Sequence, residues 1–322
     1  MVRIQSITDQ SLANAVTVLR GGGLVGMPTE TVYGLAANAR DGKAVARVFE
    51  VKGRPSFNPL IVHVNSIDEA LEIAEMNDQE CALAERFWPG PLTMILKRRG
   101  NSGLSDLVSA GLPTVAVRVP AHKTARTLIK ACGFPIAAPS ANKSGALSPT
   151  TPEMVVQGLA DSVDLVLAGG ACSVGLESTV VDCSGGVPVV LRPGGITLED
   201  LGGGARSYEG DDITSPGQLL KHYAPSSKVR LNAVDVKHAE ALLSFGSIKF
   251  MGLEGGGSAS DLPDERLLHL SPEGDLYEAA ANLFSMLRDL DQSGCETIAV
   301  MAVPEVGIGV AINDRLRRAA QG

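Results

Sequence analysis

The stretch EVKGRPSFNPLIVHV, residues 50–64, leads from a predicted helix into a predicted buried strand through one short turn. Its Gly-Arg-Pro sequence is typical of a turn, because glycine and proline suit turn conformations that other residues rarely adopt. The apolar run PLIVHV that follows is typical of a buried strand. Lys52 and Arg54 thus lie beside a Gly-Arg-Pro turn at the entrance to a strand. Two cations there are either an ordinary solvated pair or part of a binding site.

The neighbouring sequence alternates helix-like and strand-like segments. SLANAVTVLRGGG and DGKAVARVFEVKG have helical spacing, whereas LVGMPT, PLTMILKRR and TVAVRVP are typical of strands. The segment SIDEALEIAEMNDQECALAERFW is predicted to be helical. This alternation indicates an α/β domain, and strands that follow each other without an intervening helix predict a mixed sheet.

The character of the sequence changes after Arg192-Pro193-Gly194. Residues 204–227 are rich in Gly, Ser, Asp and Pro and lack periodicity, which is typical of a linker. Further on, VDVKHAEALLSF and DLYEAAANLFSMLRDLDQSG predict helices, and KVRLN, KFMGL and TIAVMAVP predict strands. We therefore expect a first domain over 1–203, a linker over 204–227, and a smaller, Rossmann-like α/β domain over 228–322.

Composition and charge narrow the class of protein. The chain of 322 residues is 44% hydrophobic, has no apolar run of the length that spans a membrane, and does not begin like a signal peptide. Its five cysteines show no Cys-x-x-Cys spacing, which disfavours a zinc site or a disulfide framework and favours a reducing cytoplasm. The net charge is −8, of which −7 lies beyond Arg206, so general nucleic-acid binding through the last third is not expected.

Polar residues follow strand ends in several segments of the first domain. Each is ordinary by itself: the threonines of MPTETVYGL suit a turn, Arg118 suits a solvated strand position, and AAPSANKSGALSPT suits a polar loop. Together they favour a ligand site, because sites in open α/β sheets lie where loops converge beyond strand ends. Arginines there match phosphate and carboxylate groups through paired hydrogen bonds. The cations are Lys52, Arg54, Arg118 and Arg192.

Six segments in this order resemble one family: PTETVYGL, KGRPSFNPL, PSANKSG, ESTVVD, LRPG and SPGQLLKHYAP. The chain is similar to the YrdC-like threonylcarbamoyl-AMP synthase family in its long, two-domain form. The resemblance implies a catalytic domain with a twisted mixed sheet, and a nucleotidyltransferase that converts L-threonine, bicarbonate and ATP into threonylcarbamoyl-AMP and pyrophosphate. It also implies Mg²⁺ carried with ATP, a downstream tRNA threonylcarbamoyltransferase complex, and a transient tRNA contact. The product would serve N6-threonylcarbamoylation of adenosine 37 in tRNAs that read ANN codons.

The resemblance also implies roles for individual residues, with no metal ligands among the side chains. The catalytic cations would be Lys52 and Arg54. L-threonine would be bound by Thr31, His63, Arg118, the backbone at Ala138, and Ser178. ATP would be bound by Arg54, Asn58, Thr114, Ser140, Asn142, Ser148, Arg192 and Tyr223, the last from the linker. The length and the Gly/Pro-rich composition of the linker separately predict that it acts as a lid over the ATP end of the site.

Two other functions fit parts of the sequence. A non-catalytic nucleotide- or RNA-binding module would show a similar set of basic and hydroxyl residues. Carbamoyl transfer in hydrogenase maturation uses a similar domain, but that architecture carries zinc-finger cysteines, which this sequence lacks. Pyrophosphate release that depends on ATP and threonine separates the synthase from the binding module.

Overall fold

The computed structural model describes residues 3–202, 204–208, 223–249 and 251–321. The chain divides into two compact units. The first comprises Met1–Ser144, Pro149–Ser173 and Glu177–Gln218, and the second comprises Gly145–Ser148, Val174–Leu176 and Leu219–Gly322. Two short segments of the predicted first domain therefore group with the second unit. The predicted domain boundaries stay predictions.

The first unit is built on one mixed sheet with twelve described strands. The strands are β1 (Arg3–Ser6), β2 (Val25–Met27), β3 (Gly34–Asn38), β4 (Ile61–His63), β5 (Ala74–Glu75), β6 (Leu92–Arg98), β7 (Thr114–Arg118), β8 (Ile136–Ala137), β9 (Leu165–Ala168), β10 (Thr179–Asp182), β11 (Val189–Arg192) and β12 (Arg206–Ser207). Their order across the sheet is β1-β9-β2-β3-β8-β4-β7-β6-β10-β11-β12, with β5 paired to β6. Strand β4 pairs in parallel with β7 and antiparallel with β8, which confirms the predicted mixed sheet.

Helices flank this sheet. They are α1 (Asp9–Arg20), α2 (Gly42–Lys52), α3 (Ile67–Ile73), α4 (Asp78–Phe87), α5 (Lys123–Cys132), α6 (Pro152–Leu159) and α7 (Leu198–Leu201), with a 3₁₀ turn at Ala160–Ser162. Helix α2 shows how local sequence sets the bounds: the Asp41 side chain accepts hydrogen bonds from the first amides, and Gly53 ends the helix with φ 60°. Glycine tolerates this left-handed conformation without a steric penalty.

The two faces of the sheet bury different side chains, because successive residues of a strand point to opposite sides. Val62 and Val117 belong to the large core cluster, which also includes buried residues of α2. Ile61 and Ala116 lie on the opposite face in a smaller cluster with Ile95, Val180 and Leu191, here called the Ile61 face. His63 and Arg118 follow two residues after Ile61 and Ala116, so they project from the Ile61 face at the carboxyl ends of β4 and β7.

Three sequence predictions of secondary structure differ from the structure. The helical prediction for residues 66–88 fails in the middle of the segment: α3 ends at Ile73, strand β5 pairs with β6, and Asn77 caps a new helix. Helix α6 was not expected, although Thr151 caps it and proline occupies its first turn. The helix expected over VDVKHAEALLSF is wrong as well, because Glu240–Ser244 forms a fully buried strand. A short apolar run does not distinguish a buried strand from a buried helix.

The second unit contains a parallel sheet and two long helices. Its strands are β13 (Lys228–Arg230), β14 (Asp235–Val236), β15 (Glu240–Ser244), β16 (Gly252–Leu253), β17 (Leu267–His269) and β18 (Thr297–Val300). Strands β13, β18, β15 and β17 form the parallel sheet in that order, and β14 pairs with β16. The helices are α8 (Leu276–Gln292) and α9 (Gly309–Ala319), with 3₁₀ turns at Ala259–Asp261 and Asp264–Arg266. This architecture agrees with the predicted Rossmann-like α/β domain.

The predicted linker is only partly described. Residues 209–222 lie outside the described residues, and the predicted lid falls largely on them. Arg206 and Ser207 were expected to be irregular, but they form β12, because the edge of β11 offers backbone groups for pairing. None of the described helices is both long and apolar enough to cross a membrane.

Candidate functional site

Arg118 is a buried cation held in one orientation. It lies at the carboxyl end of β7, in register with His63 of β4. Its Nε donates to the carbonyl of Gly90 at 3.2 Å, Nη1 donates to Thr31 Oγ1 at 2.8 Å, and Nη2 donates to Glu30 Oε1 at 2.5 Å. A guanidinium has five N–H donors, so these bonds leave donors for a ligand. The structure therefore brings together three predicted threonine-site residues: Thr31, His63 and Arg118.

Glu30 is a residue of this site that sequence reasoning missed. It is 8% exposed and forms an ion pair with Arg118. Burial by itself would raise the pKa of the Glu30 carboxyl, but the charge and hydrogen bond of Arg118 outweigh burial, and the pKa is lowered. Glu30 is thus a buried anion. The sequence contained one signal, a carboxylate between two threonines in a segment that was read as a turn.

His63 is buried and neutral. Burial, followed by the nearby charge of Arg118, lowers its pKa to about 3. Its Nδ1 is enclosed and has no hydrogen-bond partner among the described residues. A neutral imidazole with an unused ring nitrogen can donate to or accept from a ligand, according to its tautomer.

The pKa of His63 predicts an acid-dependent loss of stability. The folded pKa of about 3 lies below the ordinary value of 6.5, so unfolding takes up a proton below about pH 6.5. Stability from this group is complete above pH 6.5 and is lost as the pH falls towards 3. At pH 5 the loss relative to high pH is about 2 kcal/mol, and well below pH 6.5 the slope approaches about 1.36 kcal/mol per pH unit. His63→Gln should remove this part of the pH dependence in urea unfolding. Identical pH profiles for the two proteins would contradict the assignment.

Ser178 is fixed from two sides. Arg192 donates to the carbonyl of Ser178 from Nε at 3.1 Å and from Nη2 at 2.9 Å. Nη2 also donates to Ser178 Oγ at 3.1 Å, and that hydroxyl shares a hydrogen bond of 2.7 Å with Thr93 Oγ1. Ser178 and Thr93 stand two residues from Val180 and Ile95 of the Ile61 face, so they belong to the same face as Arg118.

Gly194→Ala should destabilise the protein where Gly194 packs against the backbone of residues 177–179. A Cβ at Gly194 would lie 2.4 Å from the Thr179 amide nitrogen and 2.5 Å from the Glu177 carbonyl oxygen. Backbone atoms cannot yield as a flexible side chain can, so we expect a loss of about 1–3 kcal/mol in the free energy of unfolding. Gly185→Ala is the matched control, because a Cβ there meets nothing within 4 Å. An unchanged stability of Gly194→Ala would show that this segment is not packed as described.

Lys52 connects a helix end to a loop. It is the last residue of α2 and is 2% exposed. Its Nζ donates to the carbonyls of Ser140 at 2.5 Å and of Asn142 at 2.6 Å. Burial, and then the charge of Arg54, lower the pKa of Lys52. The alternative of a solvated pair is therefore excluded for Lys52, because this residue is buried at the end of α2. Its predicted catalytic role stays a prediction.

Arg54 folds over the turn that carries it. Its Nε donates to the Asn58 carbonyl at 3.0 Å, and Nη2 donates to Asn58 Oδ1 at 2.5 Å and to the Pro59 carbonyl at 2.8 Å. Asn58 is fully buried, and its Nδ2 has no hydrogen-bond partner among the described residues. The turn is therefore rigid and still presents an unused donor.

A cavity of about 470 Å³ lies at the other end of the Ile61 face. Its lining residues are Phe57, Ile95, Ala110, Leu112, Pro113, Thr114 and Asp182. Thr114 and Arg118 are the first and last residues of β7, so about 13 Å of extended strand separates them. The volume is within the usual range for small-molecule sites. Strand β7 thus connects an apolar cavity to a buried cluster of charged groups.

The remaining predicted residues are placed differently. The Ala138 amide donates to the Ile61 carbonyl at 3.0 Å. Ser148 and Tyr223 group with the second unit. Tyr223 is buried there, with its ring centroid 5.4 Å from that of Phe284 and 5.4 Å from the guanidinium carbon of Arg315. The predicted ATP contacts of Ser148 and Tyr223 stay predictions.

The fold and the geometry of the site define a class of protein: an α/β protein with a candidate site for a small charged ligand along one face of a mixed sheet. A family model described as Telomere recombination matches residues 17–194, and the model of the threonylcarbamoyl-AMP synthase C-terminal domain matches residues 191–321. The chain belongs to the threonylcarbamoyl-AMP synthase family of enzymes, as its six segments predicted.

Individual relatives support the assignment along the whole chain. The threonylcarbamoyl-AMP synthase of Pyrococcus abyssi is 40% identical, over 98% of this chain and 96% of the relative. The threonylcarbamoyl-AMP synthase of Bacillus subtilis is 37% identical, over 98% and 95%. A crystal structure of P. abyssi Sua5 complexed with L-threonine matches with a TM-score of 0.86 and 36% identity, covering 100% of this chain and 98% of that one.

Proposed function

We propose that this protein is an L-threonylcarbamoyladenylate synthase, a nucleotidyltransferase. In the balanced reaction, L-threonine, bicarbonate and ATP give threonylcarbamoyl-AMP, pyrophosphate and water. The product would serve N6-threonylcarbamoylation of adenosine 37 in ANN-decoding tRNAs. The observation that carries the proposal is the buried Arg118, held by Glu30 and Thr31 at one end of the Ile61 face, with a cavity of ligand size at the other end.

The Arg118 end of the face is proposed to bind L-threonine. Its remaining N–H donors suit a carboxylate, because guanidinium and carboxylate groups match in paired hydrogen bonds. The hydroxyls of Thr31 and Ser178 and the neutral ring of His63 surround this position and suit the hydroxyl of threonine. The P. abyssi relative was crystallised with L-threonine, which supports this choice of amino acid.

The cavity end of the face is proposed to bind ATP. Phe57 and Leu112 are exposed apolar side chains that line the cavity, and they suit the faces of a purine ring. Positive charge would come from Lys52 at the end of α2 and from Arg54 in the turn that follows it. Cations held rigidly where negative charge develops on the transferred phosphoryl group stabilise the transition state. Lys52 in addition fixes the loop of Ser140 and Asn142, which was predicted to face the phosphates.

Magnesium and macromolecular partners complete the proposal. Within the described part of the chain, no three His, Cys, Asp or Glu side chains are grouped as metal ligands. We propose that Mg²⁺ arrives with ATP and is held by the phosphate oxygens, its usual mode with nucleotide substrates. The downstream tRNA threonylcarbamoyltransferase complex and a transient contact with tRNA are further parts of this proposal.

Pyrophosphate release tests the function. The full-length chain is incubated with ATP, Mg²⁺, bicarbonate and L-threonine, and each substrate is omitted in turn. A synthase releases pyrophosphate only when all three substrates are present. A nucleotide- or RNA-binding module would bind ATP without releasing pyrophosphate, and that result would overturn the proposed function.

A further inference from the structure

Among the described residues, one of the two carboxylate oxygens of Glu30 has a hydrogen-bond partner and the other has none. Its Oε1 accepts from Arg118 at 2.5 Å, whereas its Oε2 is enclosed and has no hydrogen-bond partner among the described residues. Backbone hydrogen bonding at Glu30 and Ala121 also contributes to the lowered pKa of this carboxyl, but no donor among the described residues reaches Oε2 with the distance and angle of a hydrogen bond. Buried carboxylate oxygens are nearly always hydrogen-bonded, so an unused one in a candidate site indicates a missing donor.

The surroundings of Oε2 restrict what that donor is. Glu30 lies next to the guanidinium of Arg118, and the electrostatic influence of both reaches His63. The site therefore offers one positive and one negative group side by side, both buried. An α-amino acid at neutral pH carries a carboxylate and an ammonium on the same carbon, and these two charges are complementary to Arg118 and Glu30.

A proton-accepting role for Glu30 fits less well. The pKa of its carboxyl is lowered, so it holds a proton weakly and is a poor general base near neutral pH. A purely structural role explains Oε1 but leaves Oε2 without a function. A hydrogen bond from a charged donor satisfies Oε2 and keeps Glu30 ionised.

We propose that Glu30 is a substrate-binding residue: its Oε2 accepts a hydrogen bond from the ammonium group of the amino acid whose carboxylate lies against Arg118. The same residue orients Arg118 through Oε1. Glu30 thereby selects ligands that carry both charges over simple hydroxy acids. This inference rests on the proposed function, since it assumes that the site takes an amino acid.

The test compares two ligands that differ only in the ammonium group. L-threonine and (R)-3-hydroxybutanoate are titrated into the full-length chain and into Glu30→Gln, with calorimetry or displacement as the readout. The glutamine keeps an oxygen for Arg118 but removes the negative charge. Glu240→Gln is the matched control, because Glu240 is buried and paired with Arg230 at 2.6 Å in the second unit. Thermal unfolding and ATP binding show whether each variant is folded.

The expected result is a smaller preference of Glu30→Gln for L-threonine over (R)-3-hydroxybutanoate. Glu30→Gln should weaken L-threonine binding by about 10- to 100-fold, the usual range for a lost charge-assisted hydrogen bond. Binding of (R)-3-hydroxybutanoate should change much less, so the preference for threonine shrinks, whereas Glu240→Gln keeps it. Equally weakened binding of both ligands would show that Glu30 acts only through Arg118. Unchanged binding of L-threonine would show that Glu30 neither binds the ammonium group nor orients Arg118. Both results overturn the inference.

Two further measurements keep the outcomes distinct. If Glu30→Gln does not fold, the wild-type chain decides: equal affinity for the two ligands would overturn the ammonium contact. Glu30→Asp keeps the charge on a shorter side chain and should retain part of the preference. If the wild-type chain binds no L-threonine at all, the proposed function has failed rather than the role of Glu30.

Discussion

Arg118→Lys is expected to raise the KM for L-threonine by about 10- to 100-fold and to change the KM for ATP by less than about threefold. The guanidinium bonds Gly90, Thr31 and Glu30 at once and still has donors for a carboxylate. A lysine is a single-point donor, so it cannot maintain these three contacts and also bind a carboxylate through paired bonds. Steady-state pyrophosphate release, with each substrate varied in turn, measures both constants.

Arg230→Lys is the control for this substitution. Arg230 also pairs with a buried glutamate, at 2.6 Å, but it lies in the second unit. The substitution Arg230→Lys should therefore leave the KM for L-threonine and the KM for ATP unchanged. If Arg118→Lys raised the two constants equally, Arg118 would not be the carboxylate-binding residue, and the assignment of the two ends of the Ile61 face would be wrong.

Lys52→Met is expected to abolish most adenylate formation and to lower the free energy of unfolding by about 2–4 kcal/mol. Methionine has a similar length but no donor, so the carbonyls of Ser140 and Asn142 lose the ammonium that satisfies them. The loop that carries these residues is then free to move, and a displacement of about 1 Å at a catalytic site is enough to cost about a hundredfold in rate. Chemical unfolding and pyrophosphate release measure the two effects separately.

Lys143→Met separates this effect from a simple loss of charge near the loop. Lys143 lies in the same loop and donates to the Val51 carbonyl at 2.6 Å, but it is solvent-exposed. Its substitution should cost less than about 1 kcal/mol and leave most of the activity. Equal effects of the two substitutions on stability and activity would contradict the special position of Lys52.

Local sequence predicted much of the architecture, because turns and helix ends depend on neighbouring residues. The Gly53 end of α2 and the strand that follows it are examples. The prediction failed at Glu240–Ser244, where burial in the middle of a parallel sheet decides the conformation. Such burial depends on strands that are distant in the chain, and one segment does not reveal it.

The candidate site shows more clearly that contacts between distant parts of the chain are not predicted from one segment. Arg118 and Thr31 were predicted from the family resemblance, but Glu30 was not, and its ion pair with Arg118, 88 residues away in sequence, is visible only in the fold. The burial of Lys52 was not predicted either, because the carbonyls that accept from its ammonium are 88 and 90 residues away. Motifs predicted which residues belong to the candidate site, whereas the pairing between these residues required the fold.

Transfer of a labelled carbon tests the central claim most directly. The full-length chain is incubated with ATP, Mg²⁺, L-threonine and ¹³C-bicarbonate, and the nucleotide products are analysed by mass spectrometry. The proposed reaction predicts an adenylate that contains both the threonyl group and the labelled carbon, formed in equal amount with pyrophosphate. Release of pyrophosphate with AMP alone, or an adenylate that contains threonine without the labelled carbon, would contradict it.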